Sequence, residues 1–248
     1  MSNLDKFQSK ERDSRLDSLF ENSPVDLDLL VKLPSLGKFY KIGRSSILIG
    51  AIKFEDEKQL TLGTKNGINP INLILSKCVR EVDFNELLLV DKMLLLLKIR
   101  EISYGATYPA SVICNKCKVE SDIEMDLSKL LITTIPEDLE DPREILLPLL
   151  NKKIKVRFPR VKDEEFLNNQ EQIYSNIWRF VTSLDGVEDP VFISKAIPRM
   201  HIRDIKTILK NIMRSDLGLD PKFIFECASC GGETEMVVPI NESFFSVT

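Results

Sequence analysis

The chain has a single histidine, His201, and lacks the glycine-rich and paired-histidine motifs of nucleotide sites and zinc hydrolases. Ser–His, Cys–His or multi-His chemistry would have to run through that one imidazole. No residue set marks a familiar enzyme, and the chain reads as a non-enzyme. A cationic surplus is missing too: 34 Lys and Arg face 38 Asp and Glu, for a net charge of −4 and a pI near 5.3. A protein that coats nucleic acid needs the opposite balance to neutralise phosphates. Spanning a bilayer takes roughly 20 consecutive apolar residues. The longest candidate, Leu87 to Ile99, is broken by Asp91, Lys92 and Lys98. The opening MSNLDKFQSKERDSRLDSLFE is too polar for a signal peptide. These absences give the expectation of a protein in a reducing cytoplasm, with no membrane and no small-molecule substrate. In that compartment, paired cysteines more often hold metal than form disulfides.

What is present is enough for a folded core: 248 residues, 43% of them apolar and 29% charged. Residues 1–24 are nearly all polar and read as a flexible arm; residues 25–248 read as one α+β domain. In LPSLGKFY, Pro34 fixes φ and Gly37 tolerates positive φ, so Ser35–Gly37 reads as a turn. The Ile-rich stretch from Ser46 to Phe54 then reads as an N-terminal strand. Ile71, Ile74, Leu75 and Cys78 fall at helical spacing. A second helix, Asn85 to Arg100, is apolar on most of its circumference, so it is either central to the core or covered by another subunit, and the core is the preferred reading. Glu137, Asp138, Glu140 and Asp141 make an acidic loop. In the stretch after it, Lys153, Lys155 and Arg157 alternate with Ile154, Val156 and Phe158, a strand with one basic and one buried face. Nine positions from Phe166 to Leu184, Trp178 among them, predict one long amphipathic helix over Asp163–Leu184, packed on the 85–100 helix. A last helix, His201 to Arg214, buries Ile205, Ile208, Leu209 and Ile212 and shows Arg203, Lys206, Lys210 and Arg214 to solvent.

Four of the five cysteines come as two CxxC pairs, Cys114/Cys117 and Cys227/Cys230. A CxxC turn aims two thiolates at one ion, and two such turns complete a tetrahedral site. The flanks match: with Cys114 set on Cys227, Glu120 falls on Glu233, Ser121 on Thr234, Asp122 on Glu235, Ile123 on Met236 and Leu127 on Ile240. Each copy enters as a strand, turns at CxxC and returns. The expected fold is therefore α+β: a zinc-ribbon-like pair of β-hairpins (108–127 and 222–240) with a large, mainly helical insertion over 128–221. One zinc per chain, held by Cys114, Cys117, Cys227 and Cys230, is expected. Such a site has no open position, so its role is structural. Cys78, on the apolar stripe of its helix, reads as a small buried hydrophobe.

LPSLGKFY, the segment KIREISYGATYPASVICNKC and the ending CASCGGETEMVVPINESFF resemble the baseplate hub and hub-assembly proteins of T-even-type contractile-tailed bacteriophages. The likeness runs from about Leu33 to Phe245. It implies a non-enzymatic tail protein, either a hub subunit or an assembly factor (chaperone). Its partners would be other phage hub proteins, met in the host cytoplasm during assembly and, for a subunit, kept in the virion. Phe244 and Phe245, at the end of that likeness, are candidates for partner binding, since terminal aromatics can fill a partner's pocket; alternatively both rings fold back on their own hairpin. A competing reading is a zinc-ribbon nucleic-acid-binding phage regulator using Lys152–Lys162 and the basic 201–214 face, which the net negative charge and the absence of interleaved aromatics oppose. A carboxylate hydrolase is the third reading, and no pair of acids stands out for it.

Overall fold

A computed structural model describes Arg15 and residues 27–41, 43–63, 69–214 and 216–245. Apart from Arg15, the arm expected over 1–24 lies outside the described residues.

The helix predicted to be central is α3 (Leu89–Tyr104). It buries Leu94–Leu97 and Ile99 together with the charged Asp91, Lys92 and Arg100. Before it come strands β1 (Asp28–Lys32) and β2 (Ser46–Gly50), then helices α1 (Phe54–Gly63) and α2 (Pro70–Cys78). The predicted Ser46–Phe54 strand thus stops at Gly50. Asn69 caps α2 by accepting from Ile71 N–H at 3.0 Å, and Pro70 follows at the first helical position, which needs no N–H. The LPSLGKFY turn is wired to α3. Ser35 N–H donates to Asp91 Oδ1 at 2.8 Å, Tyr40 hydroxyl donates to Asp91 Oδ2 at 2.6 Å, and Leu88 N–H donates to Tyr40 Oη at 2.8 Å. Gly37, at φ +66°, has no alternative: a Cβ there would lie 1.6 Å from the Arg44 carbonyl oxygen.

After α3 the chain forms two antiparallel hairpins far apart in sequence, β3 (Thr107–Ile113) with β4 (Glu120–Asp126), and β10 (Lys222–Glu226) with β11 (Glu233–Val237). Between them, β6 (Arg143–Leu146), β7 (Lys153–Val156) and β8 (Val181–Leu184) form a three-stranded antiparallel sheet, accompanied by helices α4 (Gln170–Asn176), α5 (Pro190–Ala196) and α6 (Ile202–Ile212). Short β5 (Ile132–Thr133) pairs with β9 (Gly218–Leu219), closing the insertion at its root. The insertion therefore mixes sheet and short helices rather than being mainly helical. The architecture is mixed helix and sheet, with small antiparallel sheets around two apolar clusters. The first spans Val31 to Phe245; the second holds Leu147, Ile154, Phe180, Ile193, Ile208 and their neighbours.

The single helix predicted over Asp163–Leu184 does not form. A 3₁₀ turn over Val161–Phe166 is followed by α4, a second 3₁₀ turn over Ile177–Phe180, and strand β8. The reasons are local. Asn169 caps α4, its side chain accepting from Gln172 N–H at 2.9 Å, so a helix starts there rather than passing through. Val181-Thr182-Ser183 is a stretch suited to strand, and it finds β7 as partner (Val156↔Val181, Ile154↔Leu184). The first turn is tied to the start of α3, through Val161 N–H to the carbonyl of Leu87 just before the helix and a Lys92–Glu164 ion pair. Ile177 and Phe180 pack in the second cluster, while Trp178 is half-buried at its edge. The period-two reading of β7 holds for Ile154 and Val156, but its basic face is partly neutralised. Lys153 pairs with Glu144, and Arg157 turns to Asp163 at 2.7 and 2.8 Å.

Candidate metal centre

Both CxxC turns adopt the same conformation. In the first, Cys114 N–H donates to the Val119 carbonyl and Lys118 N–H to the Cys114 carbonyl, each at 3.0 Å. In the second, Cys227 N–H donates to the Gly232 carbonyl at 3.0 Å and Gly231 N–H to the Cys227 carbonyl at 2.8 Å. Lys118 and Gly231, each four residues after the first cysteine of its pair, take φ of 61° and 62°. Glycine does so freely; a lysine there is held by the turn it closes. The two tips also touch directly, since Asn115 N–H donates to Thr234 Oγ1 at 3.1 Å.

The four sulfurs all lie within 4.8 Å of one another, and Cys114 and Cys227 are buried while Cys117 and Cys230 are half-exposed. The shortest separations cross between hairpins: Cys114 Sγ to Cys230 Sγ is 3.7 Å and Cys117 Sγ to Cys227 Sγ is 3.6 Å. None is a disulfide. A tetrahedron of thiolates about 2.3 Å from a central ion has edges of about 3.8 Å, so the donor set fits a metal of that coordination. Electrostatics agree. Backbone N–H groups of Cys117 and Lys116 pull the Cys114 thiol down to about 6. The Val119 N–H favours a Cys117 thiolate as well, yet the neighbouring Cys230, Cys114 and Cys227 outweigh it and push Cys117 up to about 12. Four sulfurs this close cannot all ionise unless a cation sits among them. Four donors so placed can hold one ion between the two hairpins. Cys78 lies apart, buried on α2 as expected, with burial raising its thiol to about 12.

Phe244 and Phe245 fold back on their own chain, the alternative that the sequence also offered. They are 0% and 3% exposed, with ring centroids 5.3 Å apart, and Phe244 packs 5.2 Å from the Tyr108 ring on β3. Arg100 Nε donates to the Phe244 carbonyl at 2.9 Å and Tyr104 hydroxyl to the Phe245 carbonyl at 3.0 Å. The end of α3 thus clamps the C-terminal segment. Reading by residue type missed both Asp91 and Arg100 as anchors. The available signal was a charge inside an otherwise apolar helix, which survives burial only with partners. His201 sits exposed at the start of α6, away from the cysteines.

Residues 28–246 match the family model described as T4 bacteriophage base plate protein. No curated protein and no solved structure matches the chain. Among the described residues, no helix is long and apolar enough to cross a membrane.

Proposed function

We propose that this chain, which belongs to the T4 bacteriophage base plate protein family, is a non-enzymatic hub subunit or hub-assembly factor (chaperone) that works by binding other hub proteins, with a structural zinc held by Cys114, Cys117, Cys227 and Cys230. The observation that carries the reading is the reach of the family match, from the first strand to the clamped C-terminal segment. The cysteine cluster supports the zinc assignment: four thiolates with tetrahedral spacing are a zinc donor set, and a closed one has a structural role. Residues 25–248 act as one domain in this reading, because the first core draws on both ends of that stretch. The pairing of Lys153 and Arg157 with acids of the same chain weakens the nucleic-acid alternative, which needs those charges for phosphate.

Mass spectrometry of purified particles beside infected-cell lysate tests the reading, with elemental analysis of the chain purified without chelator. Presence in particles identifies a subunit. Presence in lysate only, bound to hub proteins, identifies an assembly factor that acts in the host cytoplasm. Absence from both particles and hub complexes overturns the reading. Zinc is expected at about one equivalent, since four thiolates make one site.

A further inference from the structure

An apolar cavity of about 230 Å³ opens on the seam between the two cores. Val90 and Met93 of α3, Phe158, Ile212 and Met213 at the end of α6, and Leu217 line it. Beside it, Gly218 at φ +84° lets β9 lie close on α3, since a Cβ there would lie 2.5 Å from Val90 Cγ2. The volume falls below the roughly 300–1,000 Å³ of pockets that take drug-sized molecules, and suits an apolar side chain or two.

What lies beside the cavity narrows the occupant. Met213, 43% exposed, and Arg214 border both the cavity and an open trough along Lys206, Lys210 and Asp216. Lys206, Lys210 and Arg214 recur every four residues and so share one side of the helix and its extension. Arg214 is held by Asp216 at 2.6 Å, whereas Lys206 and Lys210 are exposed and, among the described residues, enter no ion pair. An apolar hole thus adjoins a cationic trough with two uncommitted charges. No aromatic ring lines the trough to stack a base, which disfavours nucleic acid. A second copy docking by the same face would set lysine against lysine across a two-fold axis.

We propose that this seam is a docking site for an acidic segment of a partner protein. The segment seats one apolar side chain against Met213 and lays its carboxylates along Lys206 and Lys210. The proposal rests on the reading of the chain as a contact protein and specifies one face of that contact.

The test uses the full chain with labelled methionine methyl groups, titrated with a short synthetic peptide rich in Asp and Glu around one central Leu. The Met93 and Met213 methyl signals should move, and the affinity should fall as salt is raised. Replacing the peptide's Leu by Ser should weaken binding about thirtyfold, the value of a hot-spot anchor. The surface variant Lys206→Glu/Lys210→Glu should weaken it about tenfold. Each of these results overturns the proposal: a Lys-rich version of the peptide moving the same signals equally, a short DNA duplex displacing the acidic peptide, or the double variant binding as tightly as the parent. Self-association of the chain that vanishes in the double variant assigns the face to a second copy, and overturns it too. Co-purification of the parent chain with hub proteins is measured in parallel. If that holds while the peptide fails to bind, this site is wrong and the contact reading stands; if co-purification is absent, the broader reading has failed.

Discussion

The two apolar cores are assembled in opposite ways. The first joins residues as distant as Val31 and Phe245, drawing on β1, β2, α2, α3 and both CxxC hairpins. The second is complete between Ile145 and Ile212, with β7, β8, α5 and α6 as neighbours in sequence as well as in space. Bringing distant segments together costs chain entropy before any contact compensates for it, whereas local packing costs less. The devices that fix the chain follow that difference. The cysteine group, the Asp91–Ser35–Tyr40 network and the Arg100 clamp all serve the first core. The second has buried Asp204, which accepts from Leu149 and Leu150 N–H at 2.8 and 3.2 Å, and no cysteine. A core closed over long separations needs ties that a local core can omit.

The sharpest way to break this comparison is to open the tie. Chelation, or Cys227→Ser, should lower the melting temperature of the first core by about 10 °C or more, as expected for loss of a structural metal. Amide exchange should show α3 and both hairpins losing protection while β7, β8 and α6 keep theirs. Equal loss in both cores would mean that they fold as one unit, and the contrast would fail. The next effect is at the C-terminal clamp. Phe244→Ala removes a fully buried ring and should cost about 3–5 kcal/mol. Truncation after Asn241 should likewise destabilise the chain rather than leave it folded, as chemical denaturation would show.

How much of this was legible in the sequence follows the same division. Matching flanks around Cys114 and Cys227 identified two equivalent hairpins, because thiol pairs and their turns are local patterns with a fixed geometry. The core role of α3 could be read from its composition, since a helix without a polar face has nowhere else to go. The partners of Asp91 and Arg100 could not be read: Ser35 is 56 residues from Asp91, and Phe244 is 144 residues from Arg100. The break-up of Asp163–Leu184 was hidden for a different reason. Its apolar positions fit a helical period, yet the Asn169 cap and the β7 partner for Val181–Leu184 decided the outcome. Periodicity reports which side chains are buried; it does not say which backbone conformation buries them. The burial of Phe244 and Phe245 depends on the clamp and on Tyr108, neither of which the terminal motif reveals.

A smaller effect sharpens the comparison at the boundary between the cores. Burial works to raise the Asp163 carboxyl, but hydrogen bonds from Arg157 and the Arg160 N–H outweigh it and hold it below the usual carboxylate range. A carboxyl depressed by folding contributes stability that is present above its unfolded value, about 3.9, and lost as pH falls through its lower folded value. Asp163→Asn should therefore cost about 2 kcal/mol near neutral pH, the worth of hydrogen bonds to a charged group. The gap between variant and parent should narrow as pH drops below about 4. A gap that stays constant across that range would assign the loss to packing and remove charge from the account.

The smallest effect separates the observed second core from the single helix the sequence suggested. A continuous helix over Asp163–Leu184 would turn Trp178 inward against α3, and its removal would then cost about 3–5 kcal/mol. Instead the ring sits half-buried in a 3₁₀ turn at the edge of the second core, with the Arg179 guanidinium 4.7 Å from its centre. Partial burial of an aromatic with one exposed face loses less on truncation, so Trp178→Ala should cost about 1–2 kcal/mol. The cation–π contact adds about 0.5–1 kcal/mol at such an exposed site, and a Trp178→Phe variant should retain part of it. Trp178 is the only tryptophan, so its emission reports this position alone. Acrylamide should quench it to an intermediate degree, and treatment with a chelator should leave its emission unchanged while the first core loosens. Complete shielding together with a truncation cost near that of Phe244→Ala would return the ring to a continuous helix packed on α3.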